Sequence, residues 1–418
     1  MPKFLYPITM LKSKWFYLFL SNFLGVFNDN FLKNAIIFIG ISWILPSWLT
    51  PSQIISIVSA CLVVPYLFFS PVGGQWAMRY SKLKVFRMMK LIEIPIVLIG
   101  AAAFYFQWIF LAVFSVLLLG TQSCLYSPSK YGLIRDIGGE SGASFGSGMF
   151  ETMAFLGILI GTFTASLVSD HYSLYLLGGI LLGVAILGYV VTNSIQVKEL
   201  PIEHTANTLN PLKFILSNYK FAKAYPLVNS AVLGASVFWM IGGMLQMNVI
   251  IHCRNVLHVS NSMTGVVMAC AAVGIALGTA FTGKISKGNV KKGLILPALS
   301  GMIVCLTLML VLPLSFPLFL SVTIVFAFLG GMFQVPCLAT IQQADLGRKI
   351  GDIIAYLNMV TFLFILIGTL FFSLTTLFSG ESSFAVFGVM LGVCVSVWLY
   401  FMFRYPDFRR ESGEMFKR

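Results

Sequence analysis

Acidic and basic side chains interrupt an apolar stretch near the start of the chain. Asp29 and Lys33 stand four residues apart with Asn30 between them, in a run of Phe, Leu and Ile. This spacing puts opposite charges on one helix face, where an ion pair could simply help the helix insert. Three further asparagines crowd the same segment, and such polar capacity is costly unless water or a ligand satisfies it. The residue types therefore favour a site for a polar group.

Four other ionisable side chains lie within or at the end of apolar runs of the first half. Lys90 and Glu93 are spaced i, i+3 and can neutralise each other. Glu151 has no partner in its own helix, so it must pair elsewhere, titrate or meet a substrate cation. Lys130 stands where an apolar run ends. A charge in hydrocarbon costs about 2.5 to 3.5 kcal/mol, so these groups should face a bundle interior or a wet cavity.

The second half offers only neutral polar groups at comparable depth, among them Gln246. One charged wall and one apolar wall suit an amphiphile, with its headgroup on the first and its acyl chain on the second. A small sugar or organic anion would instead be expected to find polar contacts on both walls. Exporters of hydrophobic drugs share this asymmetry and stay an alternative.

Composition identifies the elements that must position these residues. The chain has 418 residues, of which 58% are hydrophobic and 10% charged, against about 25% charged in soluble domains. Its apolar runs recur at lengths of about 20 residues, enough to cross a bilayer as helices, without the alternation of a β-barrel. The chain is therefore predicted to be an all-α integral membrane protein. We expect no removable signal peptide, because no small-residue cleavage site follows the first apolar run.

The apolar runs predict twelve transmembrane helices, which we place at 15–45, 53–77, 85–105, 107–128, 145–169, 172–194, 224–252, 262–283, 292–312, 316–340, 350–377 and 383–404. The longest polar stretch lies between the sixth and seventh of them and contains two prolines, which disfavour helix. We therefore predict two six-helix bundles, 1–195 and 224–418, joined by a cytoplasmic central loop over 196–223.

The distribution of basic residues predicts the orientation. Of 27 Lys and Arg residues, 25 fall on the side that holds both termini, and the exceptions are Lys33 and Arg254. The positive-inside rule then places both termini in the cytoplasm. The formal charge of +13 reflects topology and attraction to anionic headgroups, not a nucleic-acid partner.

Two features suggest duplicated halves, as in the major facilitator class. Pro128 and Pro336 are separated by nearly the same number of residues as Gly74 and Gly283, which lie at the starts of two short basic loops. The first loop, "GGQWAMRYSKLKV", resembles the facilitator signature Gly-x-x-Ala-Asp-Arg-x-Gly-Arg through Gly74, Arg79 and Lys82. Met78 stands where that signature has aspartate, so we expect a weakened latch between conformations.

Two pairs of glycines have the spacing that lets transmembrane helices approach closely. They are Gly157 with Gly161 and Gly274 with Gly278. Ordinary packing explains them. The alternative is that the two helices that carry them slide on one another between the halves during transport.

The sequence does not support an enzyme, because it lacks recognisable catalytic motifs. The four histidines are scattered at loops and helix ends, without an HExxH motif, a nucleophile elbow or a phosphate-binding glycine loop. The seven cysteines stand singly, without CxxC. We predict no catalytic residue, metal or cofactor.

Four segments resemble bacterial lysophospholipid transporters of the major facilitator superfamily: "FNDNFLKNA", "YSPSKYGLI", "GSGMFETMAFLGILIG" and "MFQVPCLATIQ". The resemblance implies flipping of lysophospholipids, mainly lysophosphatidylethanolamine, from the outer to the inner leaflet of the inner membrane by alternating access. On matched positions it implies that Asp29 lies in the headgroup site, that Lys130 attracts the lipid phosphate, and that Glu151 lies near the ammonium or pairs with Lys130. The adjacent Tyr131 is predicted to bind the substrate as well. Two residues of the predicted headgroup site depart from the family pattern, because Gln246 stands in place of an arginine and Glu93 in place of a lysine.

The resemblance also implies partners. A separate acyltransferase or acyl-carrier-protein synthetase would restore the second acyl chain, and we expect the transporter to be a monomer among membrane lipids. The rival hypothesis is a proton-coupled transporter of a small metabolite or drug, in which Asp29 or Glu151 carries the proton. A membrane scaffold has little need of buried carboxylates.

Overall fold

Helices make up all the regular secondary structure in the described part of the chain. The computed structural model describes the backbone of residues 15–199, 211–286, 291–344 and 350–405, and of residue 410. The prediction of an all-α chain is therefore confirmed for these residues.

The described residues form α-helices separated by short connections, and a 3₁₀ turn at Lys292–Leu294 precedes α9. The helices are α1 (Phe16–Gly40), α2 (Pro51–Arg79), α3 (Lys82–Phe106), α4 (Ile109–Asp170), α5 (Leu174–Asn193), α6 (Pro211–Ala222), α7 (Pro226–Asn255), α8 (Asn261–Ser286), α9 (Ile295–Val311), α10 (Phe316–Gln342), α11 (Ile350–Phe378) and α12 (Ser383–Arg404).

Helix α4 is helical over 62 residues but reverses its direction. A straight helix would separate Ile134 from Gly146 by about 18 Å, at 1.5 Å per residue. A Cβ atom added to Gly146 would instead lie 2.6 Å from Cγ2 of Ile134. The chain therefore turns back, and α4 consists of a first arm, Ile109–Gly138, and a second arm, Thr152–Asp170, each able to cross a membrane.

Eleven segments of the described chain are long and apolar enough to span a bilayer, and α1 is not among them. Its 25 residues are sufficient in length, so its polar side chains are what lower its hydropathy. Helix α1 is instead enclosed by protein, with Leu18, Phe31 and Leu32 fully buried. With α1 included, the described residues contain the twelve membrane-length helices that the sequence predicts.

The described residues form two compact units. The first lies within 1–50 and 57–211, and the second lies within 51–56 and 212–418. The predicted central loop, 196–223, contains helix α6, so the expectation that prolines exclude helix there is wrong. Pro211 occupies the first helical position, where the missing N–H costs no hydrogen bond.

Both pairs of closely spaced glycines pack against helices of their own unit. Cβ atoms added to Gly157 and Gly161 of α4 would lie 2.9 Å from the carbonyl oxygen of Phe23 and 2.5 Å from that of Phe27, both in α1. In the second unit, Gly274 of α8 similarly faces the carbonyl oxygen of Ile324 in α10. The glycines thus let backbones touch within each unit. A sliding role between the halves stays a prediction.

The crossing of α1 and α4 provides a stability test. In Gly161→Ala the new methyl group would meet backbone atoms of α1, which cannot rotate away, so we expect a loss of about 1–3 kcal/mol and a lower Tm in detergent. The matched control is Gly183→Ala in α5, where an added Cβ meets nothing within 4 Å. An unchanged Tm for Gly161→Ala would contradict this packing.

Candidate functional site

Two helix faces oppose each other in the first unit, and each carries three residues spaced i, i+3, i+7. These residues are Asn22, Gly25 and Asp29 on α1, and Ser123, Tyr126 and Lys130 on the first arm of α4. Such spacing places all three side chains of a helix on one face. Asn22 meets Lys130 and Asp29 meets Ser123, so the two helices run antiparallel and their faces match residue by residue.

Asp29 accepts a hydrogen bond from the hydroxyl of Ser123, with 2.8 Å between the two oxygens. Asp29 is half-buried, whereas its neighbours Asn28 and Asn30 are buried. The hydroxyl group that binds this carboxylate therefore belongs to α4. Asp29 also interacts electrostatically with Glu93, with Lys90 and, more weakly, with Lys130.

Lys130 lies at the other end of the matched faces, almost fully buried. Its Nζ donates a 3.0 Å hydrogen bond to Oδ1 of Asn22 and lies 5.2, 5.8 and 5.4 Å from the ring centroids of Tyr126, Tyr131 and Phe150. Aromatic faces attract a cation at such distances. An amide and three aromatic rings thus border the ammonium group, and one of these rings, Tyr131, is 42% exposed.

A second pair of charges lies beside these faces, on α3. Nζ of Lys90 lies 2.6 Å from Oε2 of Glu93, and both side chains are at most 1% exposed. The other carboxylate oxygen of Glu93 accepts a 2.9 Å hydrogen bond from Asn28. The predicted Lys90–Glu93 ion pair is confirmed. Because both oxygens of Glu93 are occupied and buried, the structure does not present this residue to a ligand.

The remaining asparagines of α1 are partly satisfied by the helix itself. Asn30 donates to the carbonyl of Val26, and Asn34 donates to the carbonyl of Asn30 and to the hydroxyl of Thr162. Oδ1 of Asn28 and Oδ1 of Asn34 are buried without a hydrogen-bond partner among the described residues. Unused acceptors at this depth leave capacity for water or a polar ligand.

Three predicted site residues lie elsewhere or outside the description. Lys33 is buried in α1, and Gln246 is half-buried on α7 of the second unit. Glu151 belongs to helix α4, immediately before Thr152, and its side chain lies outside the described residues. The structure therefore brings Asp29 and Lys130 to one helix pair of the first unit.

The signature loop between α2 and α3 is held by carboxylates from other segments. Lys82 forms an ion pair with Asp136, at 2.7 Å. Glu199 accepts hydrogen bonds from the backbone N–H groups of Lys82 and Leu83, at 2.7 and 3.2 Å. A carboxylate thus caps the N-terminus of α3 although Met78 replaces the aspartate of the signature.

The other residues of the signature have fewer neighbours. Arg79 is exposed, and a Cβ added to Gly74 would meet nothing within 4 Å. A Cβ added to Gly73 would instead lie 2.8 Å from the carbonyl oxygen of Leu125 in α4. Gly73 is therefore the glycine that permits close approach here.

Sequence reasoning missed Ser123 and Tyr126 as members of the site. Both precede Lys130 on the same face of α4, by seven and four residues, and that periodicity is the signal that could have found them. Glu199 was also missed, because nothing in the local sequence indicates that it returns to the start of α3.

The cap on α3 can be tested by mutation. Glu199→Ala leaves two N–H groups without their acceptor and removes a favourable charge at a helix N-terminus, so we expect a loss of about 1 kcal/mol and a lower Tm. Lys198→Ala, an exposed neighbour, serves as control and should leave Tm unchanged. Equal Tm values for both variants would show that Glu199 does not stabilise the unit.

Comparison with known families and proteins gives a consistent result. The family model described as Major Facilitator Superfamily matches residues 18–369. A lysophospholipid transporter LplT of Yersinia enterocolitica is 24% identical over 330 residues, which cover 77% of either chain. The lysophospholipid transporter LplT of Escherichia fergusonii is 26% identical over 349 residues, which cover 81% of this chain and 83% of that protein.

Solved transporters share the fold at low sequence identity. A mutant of the nucleoside transporter NupG has a TM-score of 0.68 at 14% identity, covering 93% of this chain and 100% of its own. A bacterial homologue of the human lysosomal transporter Spinster has a TM-score of 0.62 at 15% identity, covering 97% and 98%. At these identities the likeness extends to the fold alone.

Proposed function

Because this chain belongs to the major facilitator superfamily and is a membrane transporter, we propose that it moves lysophospholipids by alternating access. The proposed substrate is similar to lysophosphatidylethanolamine, and the proposed direction is from the outer to the inner leaflet of the bacterial inner membrane. Relatives named as lysophospholipid transporters, matched over about four fifths of their length, support this substrate class.

The observation that carries the proposal is the placement of opposite charges at the two ends of the matched faces of α1 and α4. Asp29 is held by the hydroxyl of Ser123, and Lys130 by the amide of Asn22 and by aromatic rings. A zwitterionic headgroup carries a phosphate and an ammonium. Lys130 can bind the phosphate and Asp29 the ammonium through charge-assisted hydrogen bonds, which are stronger than neutral ones.

The first unit buries charged side chains and the second does not, among the described residues. This difference suits an amphiphile, which has a charged headgroup and an apolar chain. Among the described residues, the buried side chains of Lys or Glu all belong to the first unit, namely Lys33, Lys90, Glu93 and Lys130. The buried polar residues described in the second unit include Asn248, His252 and Gln334 but no Asp, Glu, Lys or Arg. A headgroup is therefore best matched by the first unit and an acyl chain by the second.

Other parts of the proposal rest on the resemblance of segments. Glu151 lies near the ammonium or pairs with Lys130. Asn30, Tyr131 and Gln246 also bind the substrate, and relatives carry arginine at the position of Gln246. The transporter acts as a monomer and passes its substrate to a separate acyltransferase or acyl-carrier-protein synthetase. Both termini face the cytoplasm.

The proposal is tested by uptake of labelled lysophosphatidylethanolamine into spheroplasts that express the protein. Asp29→Asn and Lys130→Met each remove one charged hydrogen-bonding group, worth about 1.5–3 kcal/mol, so we expect uptake to fall at least about tenfold. Lys84→Met, on an exposed position of α3, is the matched control and should transport like the wild type.

The same assay separates the proposal from a proton-coupled carrier of small metabolites. A lipid transporter takes up the labelled lipid, and both charge variants lose this uptake. No lipid uptake by correctly folded wild type would contradict the proposal. Loss of uptake with an ionophore and in Asp29→Asn, together with full activity of Lys130→Met, would favour the proton-coupled mechanism.

A further inference from the structure

Two buried ammonium groups lie near the ring of Tyr126. Its ring centroid is 5.2 Å from Nζ of Lys130 and 5.8 Å from Nζ of Lys90, and the residue is 2% exposed. Both distances are within the range of cation–π attraction. One aromatic ring thus contacts the lysine proposed to bind phosphate and the lysine of the internal ion pair.

The position of this ring is fixed by its neighbours. The ring of Phe86 stacks on it with centroids 5.1 Å apart and an interplanar angle of 11°. A Cβ added to Gly25 of α1 would lie 3.1 Å from Oη of Tyr126 and 2.6 Å from Nζ of Lys90. Because Gly25 has no side chain, the tyrosine and the lysine both have room beside α1.

The ion pair on α3 determines where Lys90 lies. Glu93 holds Nζ of Lys90 at 2.6 Å and is itself held by Asn28 of α1. The Lys90 ammonium group near Tyr126 is therefore already neutralised. Nζ of Lys130 donates to the amide oxygen of Asn22, so the same ring borders a structural lysine and the lysine proposed to bind phosphate.

We propose that Tyr126 is a positioning residue for the headgroup site, whose ring holds the Lys130 ammonium in place and connects it to the Lys90–Glu93 ion pair. Glu93 then affects transport through Lys90 and Tyr126, without touching the substrate. The inference rests on the proposed function and adds to it an account of Glu93, the residue that departs from the family pattern.

The first test compares three variants by their KM and maximal rate for lysophosphatidylethanolamine uptake. Tyr126→Phe keeps the aromatic face and should change KM less than about twofold, whereas Tyr126→Leu removes it and should raise KM about three- to thirtyfold with a smaller effect on the maximal rate. Phe104→Leu is the matched control, because Phe104 is equally buried in the first unit but packs against Trp43 and Tyr172. It should leave KM unchanged.

The second test asks whether Glu93 meets the substrate. Glu93→Gln is assayed with lysophosphatidylethanolamine and with lysophosphatidylglycerol, which has no ammonium group. A residue that acts through Lys90 and Tyr126 raises KM for both lipids by the same factor. A KM that rises for the amine lipid alone would show direct contact with the ammonium and would overturn the inference.

The outcomes separate this inference from the proposed function. Uptake by the wild type together with an unchanged KM in Tyr126→Leu overturns the inference and leaves the function standing. A wild type without lipid uptake contradicts both. If Tyr126→Leu does not reach the membrane, Tyr126→Met fills similar volume without a ring and carries the same expectation.

Discussion

The antiparallel match between α1 and the first arm of α4 is the contact on which the site depends. An ionised side chain at membrane depth is tolerated only where protein groups or water replace its hydration. Here Ser123 meets Asp29 and Asn22 meets Lys130, so α1 can carry polar residues that make it less hydropathic than the eleven other membrane-length segments described. On another side of α1, Gly157 and Gly161 let the second arm of α4 approach the α1 backbone closely.

The fold was largely predictable because the bilayer dictates the length of every apolar run. Helix α12 begins and ends at the predicted residues, 383 and 404, and most other boundaries agree within three residues. Helix α1 ends at Gly40, five residues before the predicted end at 45. Two larger departures have local causes. Helix α6 begins at a proline whose missing N–H is harmless there, and the reversal within α4 is helical where a loop was expected.

The sequence predicted the charged residues of the site but not the residues that contact them. Asp29 and Lys130 stand out because a charge among apolar residues is costly and therefore conspicuous. Ser123, Tyr126 and Glu199 are ordinary residues for their segments, and only the fold brings them to Asp29, to Lys130 and to the start of α3. Glu93 was expected to face a headgroup, but Lys90 and Asn28 occupy both of its oxygens.

The most direct measurement is made on purified protein in sealed liposomes that contain fluorescent lysophosphatidylethanolamine in the outer leaflet. A reagent that cannot cross the bilayer quenches outer-leaflet label, so protected fluorescence reports transfer to the inner leaflet. The account predicts that the protein protects label well above the level in protein-free liposomes, and that Asp29→Asn with Lys130→Met abolishes this excess. Protection equal to that of protein-free liposomes would contradict it.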